Sequence, residues 1–179
     1  ASGAMRPVVC ALPDCFTKLG GNQYINSVAM GRWDDFLREE MVPLVERTYG
    51  CGGKGKRGLF GKSSGGYGAM VHALMHPDFW SAAASHSGDM GHEWCHLPEF
   101  PAVLRALKPF NNDIKAWLSN FFEQKKTQDK DIHILMMLAM CASYDPDPNA
   151  YMGVRLPVDM HTCEVISERW ANFMKWDPV

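Results

Sequence analysis

The sequence predicts an α/β protein, a three-layer sandwich built on a mainly parallel sheet, with a helical cover in its C-terminal half. Two observations carry this. Residues 57–70 read as a short strand, a turn too tight for large side chains, and a helix. The convincing strands fall in the first half, and from about Met90 the pattern changes to helices. The boundaries drawn from this are a core over residues 6–89 and a helical cap or cover over residues 90–179.

Residues 1–5 read as a cloning remnant and take no part in the fold reasoning. Residues 7–12 form a mostly apolar run closed by Pro13 and Asp14, and are expected to be a buried parallel strand. The Gly-, Asn- and Ser-rich loop to about Met30 would follow the carboxyl end of that strand, where open α/β sheets bind ligands. Trp33, Phe36, Leu37, Leu44 and Val45 follow helical spacing, with Asp34, Asp35, Glu39 and Glu40 assigned to the polar face and Pro43 to a kink. A second strand is expected over 58–61. The helix beginning after it is apolar almost all round and stops before Pro77. A third strand is expected over 80–86, placing Ser87, Gly88 and Asp89 on the active-site side.

Further along, Asn112 is read as the cap of a helix with Ile114, Trp117, Leu118, Phe121 and Phe122 as its apolar stripe. Residues 132–140 are apolar all round and expected to be buried. Asp-Pro repeats mark a turn over 144–148, and Ser167 is read as the cap of a last helix carrying Trp170, Phe173 and Met174. Met- and Trp-rich stripes of this kind suit a core layer as well as a cap over a site.

Composition narrows the function classes. The 179 residues are 46% hydrophobic and 21% charged, which excludes disordered and fibrous classes. A net charge of −2 and a pI near 6.4 give no footprint for nucleic acid, and no apolar run is long enough for a membrane span. The six cysteines lack C-x-x-C spacing and read as buried free thiols of a reducing, cytoplasmic compartment. His86, His92, Cys95 and His96 are the one metal-like cluster, but their spacings match no common site, so no metal and no cofactor is expected.

Gly61-Lys62-Ser63-Ser64-Gly65 fits G-x-S-x-G, the nucleophile elbow. In that corner the serine hydroxyl projects above the sheet, and the next backbone N–H, that of Ser64, points at the same space. A phosphate loop ending at Ser63 would need glycine at position 56, where this chain has Lys56, so nucleotide binding is rejected. A serine nucleophile needs a histidine base held by a carboxylate, in the chain order Ser, Asp/Glu, His. His133 falls in a segment expected to be a buried helix, which leaves His161 with Asp145, Asp147 or Asp159.

The runs 7–17 (PVVCALPDCFT), 20–27 (GGNQYINS) and 31–37 (GRWDDFL), the elbow, and 85–89 (SHSGD) together resemble the Putative esterase family of α/β-hydrolases. That family includes enterochelin-esterase-like, S-formylglutathione-hydrolase-like and feruloyl-esterase-like enzymes. The resemblance continues through 143–148 and 176–178. It implies a serine carboxylic-ester hydrolase with a small-molecule ester substrate, acting through Ser63. It also implies about eight strands, with the acid and the histidine on later strands and loops, so the chain is expected to be a central part of a larger hydrolase. A catalytically incomplete relative with a binding or structural role is the second function class, and hydrolysis is not separable from acyl transfer to another alcohol. With few strands to cover its edges, the chain is expected to be a homo-oligomer or to lack segments that would cover them.

Overall fold

The computed structural model describes residue 3 and residues 6–179; most of the segment read as a cloning remnant lies outside the described residues. Residues 6–16 form no regular secondary structure. A small antiparallel pair follows, β1 (Asn26–Ser27) with β2 (Gly31–Arg32). Next come α1 (Trp33–Asp35), a π-helical segment Phe36–Met41 and α2 (Val42–Tyr49). The central unit is β3 (Gly58–Lys62), α3 (Ser64–Met75) and β4 (Ala82–His86), with β3 and β4 parallel and α3 packed on both. The remainder is helical: α4 (His92–Cys95), α5 (Phe100–Leu107), α6 (Ile114–Glu123), α7 (Asp129–Tyr144) and α8 (Ser167–Met174).

The strands expected at 58–61 and 80–86 form, paired in register from Gly58 with Ala82 to Lys62 with His86. Residues 7–12 do not form a strand. They run as exposed coil, with Val8 69% and Leu12 84% exposed, across a groove of about 980 Å³ from β3. A parallel strand is stable when both its faces are covered. Phe60, on the face of β3 turned away from α3, is 64% exposed, so that cover is missing. The described residues therefore hold two two-stranded sheets, not a full sandwich.

Pro43 does not break its helix. The backbone widens to π geometry just before it, so that the Val42 N–H donates to the Leu37 carbonyl and Pro43 falls where no N–H is needed. Asp34, assigned by spacing to the polar face, is buried. Arg38 grips its carboxylate with two hydrogen bonds (2.8 and 3.0 Å), and Nε2 of His76, the residue just past α3, lies 3.0 Å away. Burial pushes the Asp34 pKa upward, but the Arg38 hydrogen bond and the nearby imidazoles and guanidinium leave it below the usual carboxylate range. The helix after Asn112 is capped one residue later, by Asp113, whose carboxylate accepts from the Lys115 and Ala116 N–H groups.

One continuous core joins the two halves of the chain. Ile25, Tyr67 and Val71 from the first half pack with Phe100, Leu107, Leu118, Leu138 and Phe173 from the second. The long helix α7 is buried from Met137 to Tyr144, while Ile132 and Met136 are turned partly to solvent. The six cysteines are free, with Cys15 and Cys141 buried and Cys10 exposed. No helix among the described residues is long and apolar enough to cross a membrane.

Candidate functional site

The β3–α3 corner is formed by backbone geometry that the sequence imposes locally. The β3 ladder continues through the turn, because the Ser63 N–H donates to the His86 carbonyl (3.0 Å). The Ser63 carbonyl in turn accepts the Tyr67 N–H (3.0 Å) and opens α3. Between these two bonds Ser63 has φ 53° and ψ −124°, in a region that L-residues seldom occupy. Its side chain is exposed, and the first N–H groups of α3, beginning with that of Ser64, have no intrahelical partner.

Glycines make the corner possible, though not the same way at each position. A Cβ on Gly61 would run into the carbonyl of Gly65, and one on Gly66 would come within 2.9 Å of Gly88 Cα and Ser85 Oγ. A Cβ on Gly65 would meet nothing nearer than the Tyr24 hydroxyl at 3.8 Å. Strand and helix thus pass closely because of Gly61 and Gly66.

The loop after β4 closes over this corner. Ser87 has φ 48°, and Gly88 sits against the backbone of Gly66 and Tyr67. Asp89 then presents its carboxylate to the elbow: Ser63 Oγ donates to Oδ1 (3.3 Å) and Ser64 Oγ donates to Oδ2 (3.0 Å). The far end of the loop is held by Asp177, which accepts from the Gly91 and His92 N–H groups (2.9 and 2.6 Å). Burial raises the Asp177 pKa, but these backbone donors bring its carboxyl below the usual range. Sequence reasoning put Asp89 on the active-site side without giving it a role. The signal available was its position just past the carboxyl end of the strand beside the elbow.

Behind the loop lies a buried aromatic cluster. The rings of His92 and His96 are 4.7 Å apart, and Tyr144 and Phe173 lie 4.9 and 5.3 Å from His92. Neither nitrogen of His92, nor His96 Nε2, nor the Tyr144 hydroxyl has a hydrogen-bond partner among the described residues. Burial depresses the His92 pKa, and burial together with the neighbouring His92 pushes His96 down to about 4, so both rings are neutral at pH 7. Burial and the Asp89 and Asp177 carboxylates push the Cys95 thiol up to about 11. His86 ends β4 with its side chain exposed. Among the described residues no three His, Cys, Asp or Glu side chains converge to metal-binding distance.

The acid and base candidates named from chain order lie in the helical half. Asp145, at the end of α7, is gripped by Arg155 (2.9 and 2.6 Å) and also accepts from Asn172 (3.1 Å). His161 sits on an exposed turn, its Nδ1 3.1 Å from Asn112 Nδ2. Asp159 accepts from the N–H groups of His161 and Thr162 in that same turn, and Asp147 from that of Asn149. His133 Nε2 lies 2.9 Å from Glu99. Among the described residues the hydrogen-bond partner of Ser63 Oγ is Asp89, not a histidine.

A large cavity flanks the elbow, and Ser63 is not among the residues that line it. It is the groove of about 980 Å³ along the free edge of β3, bounded by Val9, Leu12, Val45, Phe60, Gly65 and His72 among others. The family model described as Putative esterase matches residues 22–137, a span that contains the elbow and Asp89 and stops short of Asp145 and His161. No curated protein matches the chain.

Proposed function

The chain belongs to the Putative esterase family, and from that premise we propose that it is a serine carboxylic-ester hydrolase acting through an acyl-enzyme on Ser63. The observation that carries the reading is the backbone of Ser63, a non-glycine residue with φ 53° at a strand-to-helix corner and an exposed hydroxyl. Such strain persists where the surrounding structure over-determines it, and it clusters at sites of chemistry. Family membership supports hydrolysis of a small-molecule ester.

In the proposed step the Ser63 Oγ–carbonyl carbon bond forms as the hydroxyl proton passes to a base and the carbonyl π pair moves to oxygen. The Ser64 N–H, at the positive end of α3, stabilises that oxyanion. Collapse re-forms the carbonyl, expels the alcohol with the proton, and leaves the acyl group on Ser63 for water to remove. By chain order His161 serves as base and Asp145 as acid, which requires the His161 turn to reach Ser63 and the Asp145 carboxylate to turn from Arg155 to His161. The strands that would complete a three-layer sandwich, and the role of residues 90–179 as a cover, belong to the same proposal. It is supported by the helical loop from Gly91 to Cys95 that adjoins Asp89.

A second reading is a catalytically incomplete relative that binds without turnover. It is favoured by the absence, among the described residues, of a histidine bonded to Ser63 Oγ. A fluorophosphonate probe with peptide mapping separates the two. The expected result is label on Ser63, abolished in Ser63→Ala and retained in Ser64→Ala. Label on Ser64, or equal labelling of Ser63→Ala, overturns the assignment, and an unlabelled chain favours the binding relative.

A further inference from the structure

The Asp89 carboxylate touches two residues with different tasks. One oxygen accepts from Ser63, the proposed nucleophile, and the other from Ser64, the proposed oxyanion donor. Its approach is built into the backbone on both sides: Ser87 is in a left-handed conformation, Gly88 lies against Gly66, and the Gly91 and His92 N–H groups are tied to Asp177. We propose that Asp89 is a positioning residue for acyl transfer, a carboxylate clasp that sets the Ser63 rotamer and fixes Ser64 relative to the oxyanion. This rests on the Ser63 reading above.

The physical argument is one of lost freedom. An exposed serine hydroxyl has three staggered positions available, of which one faces the incoming carbonyl. Holding that rotamer before substrate arrives removes the ordering cost from the reaction step. The two arms of the clasp differ in strength. At 3.3 Å the Ser63 arm is long for an O–H···O bond and yields its proton readily to a base, while the 3.0 Å Ser64 arm lies at the upper end of the normal range and persists. Oxyanion donors act when they lie about 2.7–3.1 Å from the position the oxyanion will occupy, so a fixed Ser64 matters throughout the reaction.

The test uses Asp89→Asn, Asp89→Ala, Ser64→Ala and the Asp89→Asn/Ser64→Ala pair. Each is assayed for p-nitrophenyl acetate kcat and KM, for the rate of fluorophosphonate labelling, and for its unfolding midpoint. We expect Asp89→Asn to lower kcat and labelling rate together by roughly 10–100-fold, with KM and the unfolding midpoint little changed. Ser64→Ala should have a smaller effect, and the pair should be no worse than Asp89→Asn alone, because both changes cut the same clasp. Unchanged kcat and labelling in Asp89→Asn, or losses that simply add, would overturn the proposal. So would a loss that tracks a lowered unfolding midpoint. If the Asp89 variants do not fold, Ser64→Ala carries the test, and an unchanged labelling rate there has the same overturning force.

A reading without any reaction comes from the Hα–Hβ couplings of Ser63 in isotopically labelled protein. They should report one dominant rotamer in the unmodified chain and averaging in Asp89→Asn; averaging in both refutes the clasp. Retained label in Ser63→Ala would instead overturn the Ser63 reading and with it the role of Asp89 in acyl transfer, whereas averaged couplings with label still on Ser63 would overturn the clasp alone.

Discussion

At the position of Ser63 a serine holds a conformation that ordinarily belongs to glycine, and its neighbours are glycines for different reasons. The motif gives Gly61 and Gly65 equal weight, but contacts do not. Gly61 and Gly66 are demanded by backbone that lies against them, whereas Gly65 has room for a methyl group. Gly66→Ala is therefore expected to destabilise by about 1–3 kcal/mol through overpacking. It should also slow fluorophosphonate labelling, since Gly88 must move and carries Asp89 with it. Gly65→Ala should be neutral or slightly stabilising, because alanine is the better helix former by roughly 0.5–1 kcal/mol. Urea unfolding of the two variants checks both; equal destabilisation would show that the corner is looser than its contacts indicate.

Among the elements, the junction of α4, α7 and α8 is one that pH should affect. His92 and His96 are buried there against Tyr144 and Phe173 and are held neutral. His96 has a folded pKa of about 4, below the ordinary imidazole value of 6.5 that it regains on unfolding. The unfolded chain therefore binds the proton first, and stability falls as pH drops from about 6.5 toward 4, levelling once both states are protonated. For this one group the full loss is on the order of 3 kcal/mol. Unfolding free energies of the unmodified chain and of His96→Phe, measured from pH 7 to 4.5, should show the slope and its reduction. An equal slope in the variant would assign acid sensitivity elsewhere. The junction also fastens the C-terminal residues to the site loop through Asp177, and Tyr67 of α3 donates to the Trp176 carbonyl (2.9 Å).

For the molecule as a whole, a two-stranded parallel sheet with α3 on one face leaves apolar surface and ladder groups unpaired. Phe60, Val8 and Leu12 are each more than half exposed around the groove beside β3. Self-association that covers these surfaces is the expected outcome, measured by light scattering of purified protein across a dilution series; a monodisperse monomer at all concentrations would refute it. The elbow, the strands β3 and β4 and the Pro43 irregularity were legible in the sequence, because each depends on glycine, proline or apolar spacing within a dozen residues. The caps read at Asn112 and Ser167 were each misplaced by one residue: Asp113 caps α6, and Ile166 holds the cap position of α8 with no side-chain cap bond. The neighbours of Ser63 were not legible. Asp89 reaches it across 26 residues only because β4 pairs beside β3, and Asp145 is committed to Arg155 by the fold of a separate turn. Asp34 read as a surface acid until Arg38 and His76 met it in the interior. The strand expected at 7–12 has the right composition, but a parallel strand also needs cover on both faces, and that is decided by what packs there. Local chemistry thus determined the corner that presents Ser63, while the partners of each charge, and the number of strands that pair, were decided by tertiary contacts that no local pattern encodes.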